Sequence, residues 1–174
     1  AFDKIGNSFG EISPVPLRLA PALAGTLLPL IIFVLLRQLG ATRAAAFFAG
    51  LLLVFDNALI IHTRVISLDG VLLAATFGGL SLYLAAEKAA TAKRRVLVLF
   101  LCGCAAGLAV GTKFTGLLIV GLVGLCVLLR IWPGKNRLGI VSMLQHAGLL
   151  LAGAILIYLI GWALHFTLLS KPGP

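Results

Sequence analysis

The chain has 174 residues, of which 61% are hydrophobic and 11% are charged, and its formal net charge is +9. A soluble domain is nearer half apolar and a quarter charged, so this composition excludes an ordinary soluble protein and predicts an integral membrane protein. The basic residues lie between apolar runs rather than on one soluble face, which excludes a nucleic-acid-binding patch and suits topology signals.

The chain contains several long apolar segments. They predict an all-α fold, a polytopic transmembrane helix bundle with about six membrane-spanning helices. A helix needs roughly 20 residues to cross a hydrocarbon layer about 30 Å thick, and the fourth and fifth segments are short by that measure. The segments run over residues 17–36, 44–61, 65–86, 96–111, 114–131 and 144–168. The expected domains are a non-cytoplasmic N-terminal segment over 1–16, the bundle over 17–170, and the start of an external loop over 171–174.

The connecting loops alternate in charge, and this alternation predicts the orientation. If all six segments span, three loops on one side hold nine of the fourteen basic residues: Arg37, Arg43, Lys88, Lys93, Arg94, Arg95, Arg130, Lys135 and Arg137. The positive-inside rule places that side in the cytoplasm. Both termini, and the loops HTRVISLD and GTKFTG, are therefore expected on the non-cytoplasmic face.

Small residues recur in the fourth segment, where Gly103, Gly107 and Gly111 follow one another at four-residue spacing. This spacing lines up one smooth helix face for close contact with another helix. Packing inside the bundle is the favoured interpretation over dimerisation through this face. This interpretation places the fourth segment in the centre of the bundle, with Lys113 at its end.

The cysteines indicate no redox or metal chemistry. Cys102, Cys104 and Cys126 all lie inside apolar runs, where small thiols pack as hydrophobic residues. No Cys and His residues are spaced as metal ligands, so neither a disulfide framework nor a metal site is predicted.

Ionisable residues gather between the second and third segments, in DNALIIHTRVISLDG. Charged groups beside hydrocarbon cost roughly 2.5–3.5 kcal/mol each at mid-bilayer, so they usually face a cavity or a partner. Arg64 in this stretch and Lys113 in GTKFTG lie at the ends of different hairpins, and the fold could bring both cations over one site. Two converging cations suit a phosphate or pyrophosphate lipid head group. Alternatively, each side chain only snorkels to the interface.

The remaining polar candidates on this face are Asp69, Asp56, His62 and Arg18. Asp69, or Ser67 just before it, could cap the third helix, and Asp69 could also form an ion pair with Arg64. Asp56 could be solvated at the interface or hydrogen-bonded within the bundle. Spacing alone assigns a base role to neither acid.

Four motifs in register give the sequence a resemblance to a known family. They are PLRLAPALAGTLLPLIIFVLLRQLG, the loop from Thr63 to Asp69, the element from Gly107 to Gly116, and YLIGWALHFTLLSKPGP from Tyr158 onward. Together they resemble the protein O-mannosyltransferases, which are multi-spanning glycosyltransferases that use lipid-phosphate sugar donors. Within the third element Lys113 matches the family's lysine, and Thr112 replaces a serine.

The resemblance implies transfer of mannose, or a related sugar, from a polyprenyl- or dolichyl-phosphate carrier to Ser or Thr hydroxyls on the non-cytoplasmic face. Arg64 and Lys113 would bind the donor phosphate, with Asp69 positioning Arg64 and Asp56 and His62 in support. The lipid-linked donor is a substrate, and no other cofactor is implied. The implied partners are membrane lipid, this donor and a protein acceptor; a homo- or hetero-dimer stays open. The membrane would be the bacterial plasma membrane or the endoplasmic reticulum.

The family's acidic Asp-Glu pair has no counterpart in this sequence. The resemblance therefore leaves the catalytic residues unknown, and it indicates an internal piece of a longer enzyme that is inactive alone. Two other classes of protein remain open. A small transporter would line an ion path with Asp56, Asp69 and Arg64, although the apolar helix centres disfavour it. A non-catalytic membrane subunit would retain the scaffold without the base.

Overall fold

A computed structural model of the chain describes residues 15–64, 67–131 and 139–168, and within these ranges the regular structure is helical, with no strand. The elements are α1 (Val15–Gln38), α2 (Arg43–Val54), α3 (Asn57–Arg64), α4 (Asp69–Glu87), α5 (Ala92–Thr112), a 3-10 turn (Phe114–Gly116), α6 (Leu117–Ile131) and α7 (Ile140–Leu168). The prediction of an all-α fold is confirmed. The expected segments 1–16 and 171–174 lie almost wholly outside the described residues.

Helix length and composition support four or five of the roughly six predicted spans. Among the described helices, four are long and apolar enough to cross a membrane, namely α1, α4, α5 and α7, and a bent α2–α3 pair would make five. The predicted fifth span corresponds to α6, whose 15 residues extend only about 22 Å at 1.5 Å per residue. That length falls short of the hydrocarbon thickness of about 30 Å.

The predicted second span, over 44–61, is divided into α2 and α3, which are bent by 60° at the break. The N–H groups of Phe55 and Asp56 close α2 by donating to the carbonyls of Leu52 and Leu53. The side chain of Asp56 then begins a new helix, because its Oδ1 accepts from the N–H of Leu59 at 3.1 Å. A side chain that satisfies a free N–H in this way is a helix N-cap.

Two of the three glycines predicted to form a close-contact face do so where α5 packs against α7, and the third, Gly111, faces open space. A Cβ on Gly107 would lie 2.6 Å from the carbonyl oxygen of Ala154, and Gly103 is packed equally closely against Leu150. Residue numbers rise together along this contact, so α5 and α7 run parallel. The largest fully buried side chains of the core are Tyr83, Leu99, Cys102 and Ile119.

The helix directions place Asp69, at the start of α4, at the same end of the bundle as Thr112, at the end of α5. We call this the Asp69 end. At the opposite end, Gln38 links α1 to α4, because its Oε1 accepts from Ser81 at 2.9 Å and its carbonyl accepts from Lys88 at 2.7 Å. The basic residues of the first two positively charged loops lie at this opposite end.

Candidate functional site

The carboxylate of Asp69 joins two loops at the Asp69 end. Lys113 donates from Nζ to Oδ1 of Asp69 at 2.7 Å, and Ser67 donates from Oγ to Oδ2 at 2.7 Å. The N–H of Asp69 donates in return to Oγ of Ser67 at 3.3 Å. Asp69 is therefore held from both sides. Ser67 accepts the first N–H of α4, which partly fulfils the predicted capping role, although the N-cap position itself is Leu68.

His62 lies beside the same carboxylate. Its Nδ1 is 3.6 Å from Oδ2 of Asp69, which is beyond hydrogen-bond distance but close enough for an electrostatic contact. The side chain of His62 is 61% exposed, that of Lys113 is 57% exposed, and that of Asp69 is 27% exposed. An ammonium group has three N–H donors, and Asp69 uses one of them. The other two donors of Lys113 are accessible to a ligand.

The backbone around Lys113 explains why its side chain leaves the helix axis. Lys113 ends α5 in an extended conformation, with φ −157° and ψ 146°, and its carbonyl accepts from the N–H of Gly116 at 2.8 Å. Gly116 packs directly on the backbone of Ala109, where a side chain has no room. This compact turn is the tight hairpin expected between the fourth and fifth segments, and it directs Lys113 toward α4.

The other three predicted residues are Asp56, Arg64 and Arg18. Asp56 is exposed, and its carboxylate is the N-cap of α3, so its hydrogen bond is local and does not exclude solvation at the interface. Arg64 is the last residue of α3, and its side chain lies outside what the structure describes, so its predicted pairing with Asp69 stays a prediction. Arg18 is exposed on α1.

A cavity of about 740 Å³ opens between α1, α2, α3 and α4. Most of its wall is aliphatic or aromatic, and its ionisable residues are Asp56, His62 and Asp69. Ligand sites typically combine such apolar walls with a few polar groups, in volumes of about 300–1,000 Å³. The cavity therefore suits a ligand with a long hydrocarbon part and one charged group.

A second, smaller cavity of about 350 Å³ lies between α5 and α7 and was missed by sequence reasoning. Thr112 of α5 and three aromatic side chains of α7, Tyr158, Trp162 and His165, contribute to its wall. These aromatic residues recur every three or four positions, a spacing that could have indicated one shared helix face. Among the described residues no group of three or more His, Cys, Asp and Glu side chains could hold a metal ion.

These features define a class of protein: a helical membrane bundle with a cation–carboxylate pair at one end, beside a cavity suited to an amphipathic ligand. The sequence profile of the family "Dolichyl-phosphate-mannose-protein mannosyltransferase" matches residues 1–170. The chain belongs to this family, as its motifs predicted.

Similar curated proteins carry the same description. The chain is 29% identical to dolichyl-phosphate-mannose–protein mannosyltransferase 4 of Saccharomyces cerevisiae, and the match covers 99% of the chain and 24% of that protein. It is 29% identical to protein O-mannosyl-transferase 1 of Rattus norvegicus, over 99% of the chain and 25% of that protein. The chain thus spans about a quarter of the length of these relatives. No solved structure matches it.

Proposed function

We propose that this chain forms the donor-binding part of a membrane glycosyltransferase. The enzyme transfers mannose from a polyprenyl- or dolichyl-phosphate carrier to Ser or Thr hydroxyls of proteins. The observation that carries the proposal is the Lys113–Asp69 pair beside the 740 Å³ cavity. A polyprenyl chain needs an apolar groove, and its phosphate needs a cation at the end of that groove. Family membership and the names of the relatives support the same substrates.

Charge considerations assign the roles of the site residues. During transfer the acceptor hydroxyl attacks the anomeric carbon, the bond from that carbon to the phosphate oxygen breaks, and the carrier phosphate gains a negative charge. Lys113, with Arg64 as the second cation, stabilises that charge. The stabilisation is stronger in a water-poor site, because the cations are already in position before the charge develops. Asp69 positions the ammonium of Lys113, and His62 contributes a further donor beside it. The acceptor proton goes to a carboxylate base that we do not assign to a residue of this chain.

The same proposal orients the protein. Six membrane crossings, with the short α6 and the bent α2–α3 pair both counted, put the basic loops in the cytoplasm and the Asp69 end on the opposite face. Local thinning of the bilayer and burial against other helices allow such short segments to cross. Protein acceptors and the donor head group then meet on the non-cytoplasmic side.

The test uses the complete protein that contains this chain, purified in detergent and supplied with polyprenyl-phosphate mannose and a Ser/Thr peptide. Lys113→Ala and Arg64→Ala should each reduce transfer by about a hundredfold, the effect typical of losing one donor to a developing anion. Lys93→Ala is the matched control, because it removes an exposed cation from the other end of α5. Full activity in both site variants would refute the donor-phosphate assignment.

A further inference from the structure

The smaller cavity, between α5 and α7, is shaped by glycines. A Cβ placed on Gly111 or Gly161 would meet no atom within 4 Å, and both residues contribute to the cavity wall. By contrast, Gly107 one turn earlier is packed against Ala154. The two helices are therefore in close contact along one stretch and separate toward the Asp69 end. The open space is a concave pocket with a backbone floor.

Aromatic side chains form one wall of this pocket. The ring centroids of Tyr158 and Trp162 are 6.2 Å apart, and those of Trp162 and His165 are 6.0 Å apart. Tyr158 and Trp162 remain 54% and 45% exposed. An aromatic face is electron-rich and attracts weakly positive C–H groups, while the phenol, indole and imidazole each carry a hydrogen-bonding atom. A ligand that combines a C–H face with hydroxyl groups matches both properties.

The position of the pocket next to Lys113 narrows the choice of ligand. Thr112 lies in the pocket wall, and the next residue is Lys113, whose ammonium contacts Asp69. In a lipid-phosphate sugar the anomeric carbon is bonded directly to a phosphate oxygen, so the sugar ring must lie beside the phosphate. The two cavities are formed by different helices, one by α1 to α4 and the other by α5 and α7.

We infer that the pocket between α5 and α7 binds the mannosyl ring of the donor, while the larger cavity takes the polyprenyl chain. This inference rests on the proposed function. The volume of about 350 Å³ lies near the lower limit for ligand sites and suits one ring rather than a long chain. Trp and Tyr also anchor membrane proteins at the interface. Anchoring accounts for the aromatic residues but not for the glycine floor that opens beneath them.

The experiment fills the pocket in the complete protein and compares two ligands. Gly161→Val and Gly111→Val place side chains in open space inside the pocket. Gly148→Val is the control, because Gly148 also faces open space on α7 but lines neither of the two cavities described. Equilibrium binding is measured for polyprenyl-phosphate mannose and for polyprenyl phosphate, which has the same chain and phosphate without the sugar. Trp162→Leu supplies a second variant that removes stacking without filling space.

The pocket variants should weaken binding of polyprenyl-phosphate mannose about tenfold or more, the usual effect of a steric misfit in a specific pocket. The affinity of the pocket variants for polyprenyl phosphate should stay within about twofold of that of the unmodified protein, because this ligand has no sugar. Gly148→Val should bind both ligands within about twofold of the unmodified protein, because it does not change the pocket. Equal weakening for both ligands would instead place the prenyl chain in the pocket and overturn the inference. If the variants raised only the KM for the peptide, the pocket would be an acceptor site. If binding were unchanged in all variants, the aromatic residues would serve only as membrane anchors. Either outcome would also overturn the inference.

The two proposals fail differently. If the unmodified protein binds polyprenyl-phosphate mannose but transfers no sugar to any peptide, the proposed function is wrong, and the binding comparison still tests the pocket. If transfer is normal but the two ligands respond alike to Gly161→Val, only the pocket assignment is wrong.

Discussion

The ammonium group of Lys113 lies 2.7 Å from Oδ1 of Asp69, although the two residues are 44 positions apart in the chain. This contact joins the start of α4 to the end of α5. Both side chains are partly exposed, at 57% for Lys113 and 27% for Asp69, and exposed ion pairs stabilise a fold by less than about 1 kcal/mol. The pair is therefore better suited to holding a charge in position for a ligand than to holding the bundle together.

Asp69→Asn should separate these two roles. The amide retains the shape of the side chain and can accept from Lys113, but it removes the negative charge that positions the ammonium. We expect the thermal unfolding temperature in detergent to change little and sugar transfer by the complete protein to fall about tenfold or more, as positioning defects do. Ser67→Ala, which removes only the second hydrogen bond to the carboxylate, should give a smaller loss. Normal transfer by Asp69→Asn would exclude a positioning role.

Variants of Asp56 test whether its carboxylate acts as a helix cap or as a charge. Asp56→Ala removes the acceptor for the N–H of Leu59 and should destabilise the protein by about 1 kcal/mol, the usual cost of losing an N-cap. Asp56→Asn keeps an acceptor oxygen and should restore stability. The measurement is thermal unfolding in detergent, with transfer activity followed in parallel. If Asp56→Asn is as unstable as Asp56→Ala, or inactive although stable, capping does not account for Asp56.

Substitution of Gly70 tests how closely α1, α3 and α4 pack together. A Cβ on Gly70 would lie 2.8 Å from the carbonyl oxygen of Pro21 and 3.1 Å from Cγ2 of Thr63. Gly70→Ala should therefore destabilise the protein by about 1–3 kcal/mol, as overpacking does. Gly78→Ala is the control on the same helix, because the nearest atom is Cδ1 of Ile31 at an ordinary 3.8 Å. Thermal unfolding that moves equally in both variants would contradict this close packing.

A buried pair links α4 to α7 at the end opposite Asp69. Nε2 of His146 is 3.5 Å from Oε1 of Glu87, both side chains are 7% exposed, and Nδ1 of His146 hydrogen-bonds the carbonyl of Ser142 at 2.6 Å. Removing one member of a buried polar contact typically costs about 1–3 kcal/mol, since the other member loses one of its contacts away from water. We expect His146→Leu to be destabilised by an amount in this range.

A double-mutant cycle measures this coupling. Glu87→Gln with His146→Leu should be less damaging than the sum of the two single changes, by about 0.5–3 kcal/mol, the range seen for residues in contact. The cycle is read by thermal unfolding in detergent. Strict additivity of the two changes would mean that the residues do not interact.

Much of the architecture follows from local sequence. Runs of apolar residues can satisfy their backbone groups in a membrane only as helices or closed barrels, so segments of about 20 apolar residues predict helices directly. Four-residue spacing of small side chains likewise predicted the close face of α5, which packs against α7. The sequence-based prediction fails where two local features of the sequence favour different structures. Composition suggests that 44–61 is continuous, but the side chain of Asp56 begins a new helix there, and α3 leaves α2 at 60°.

By itself the sequence determined that this is an all-helical membrane protein of a recognisable family, because composition and motif order are properties of the linear chain. It also marked Asp69 and Lys113 as candidates, since charges beside apolar runs are costly without a purpose. Tertiary structure alone decided that Lys113 is a partner of Asp69, because a contact over 44 positions depends on how α4 packs against α5. It likewise decided that an aromatic pocket opens beside them, because the space above Gly111 and Gly161 exists only once α7 lies parallel to α5.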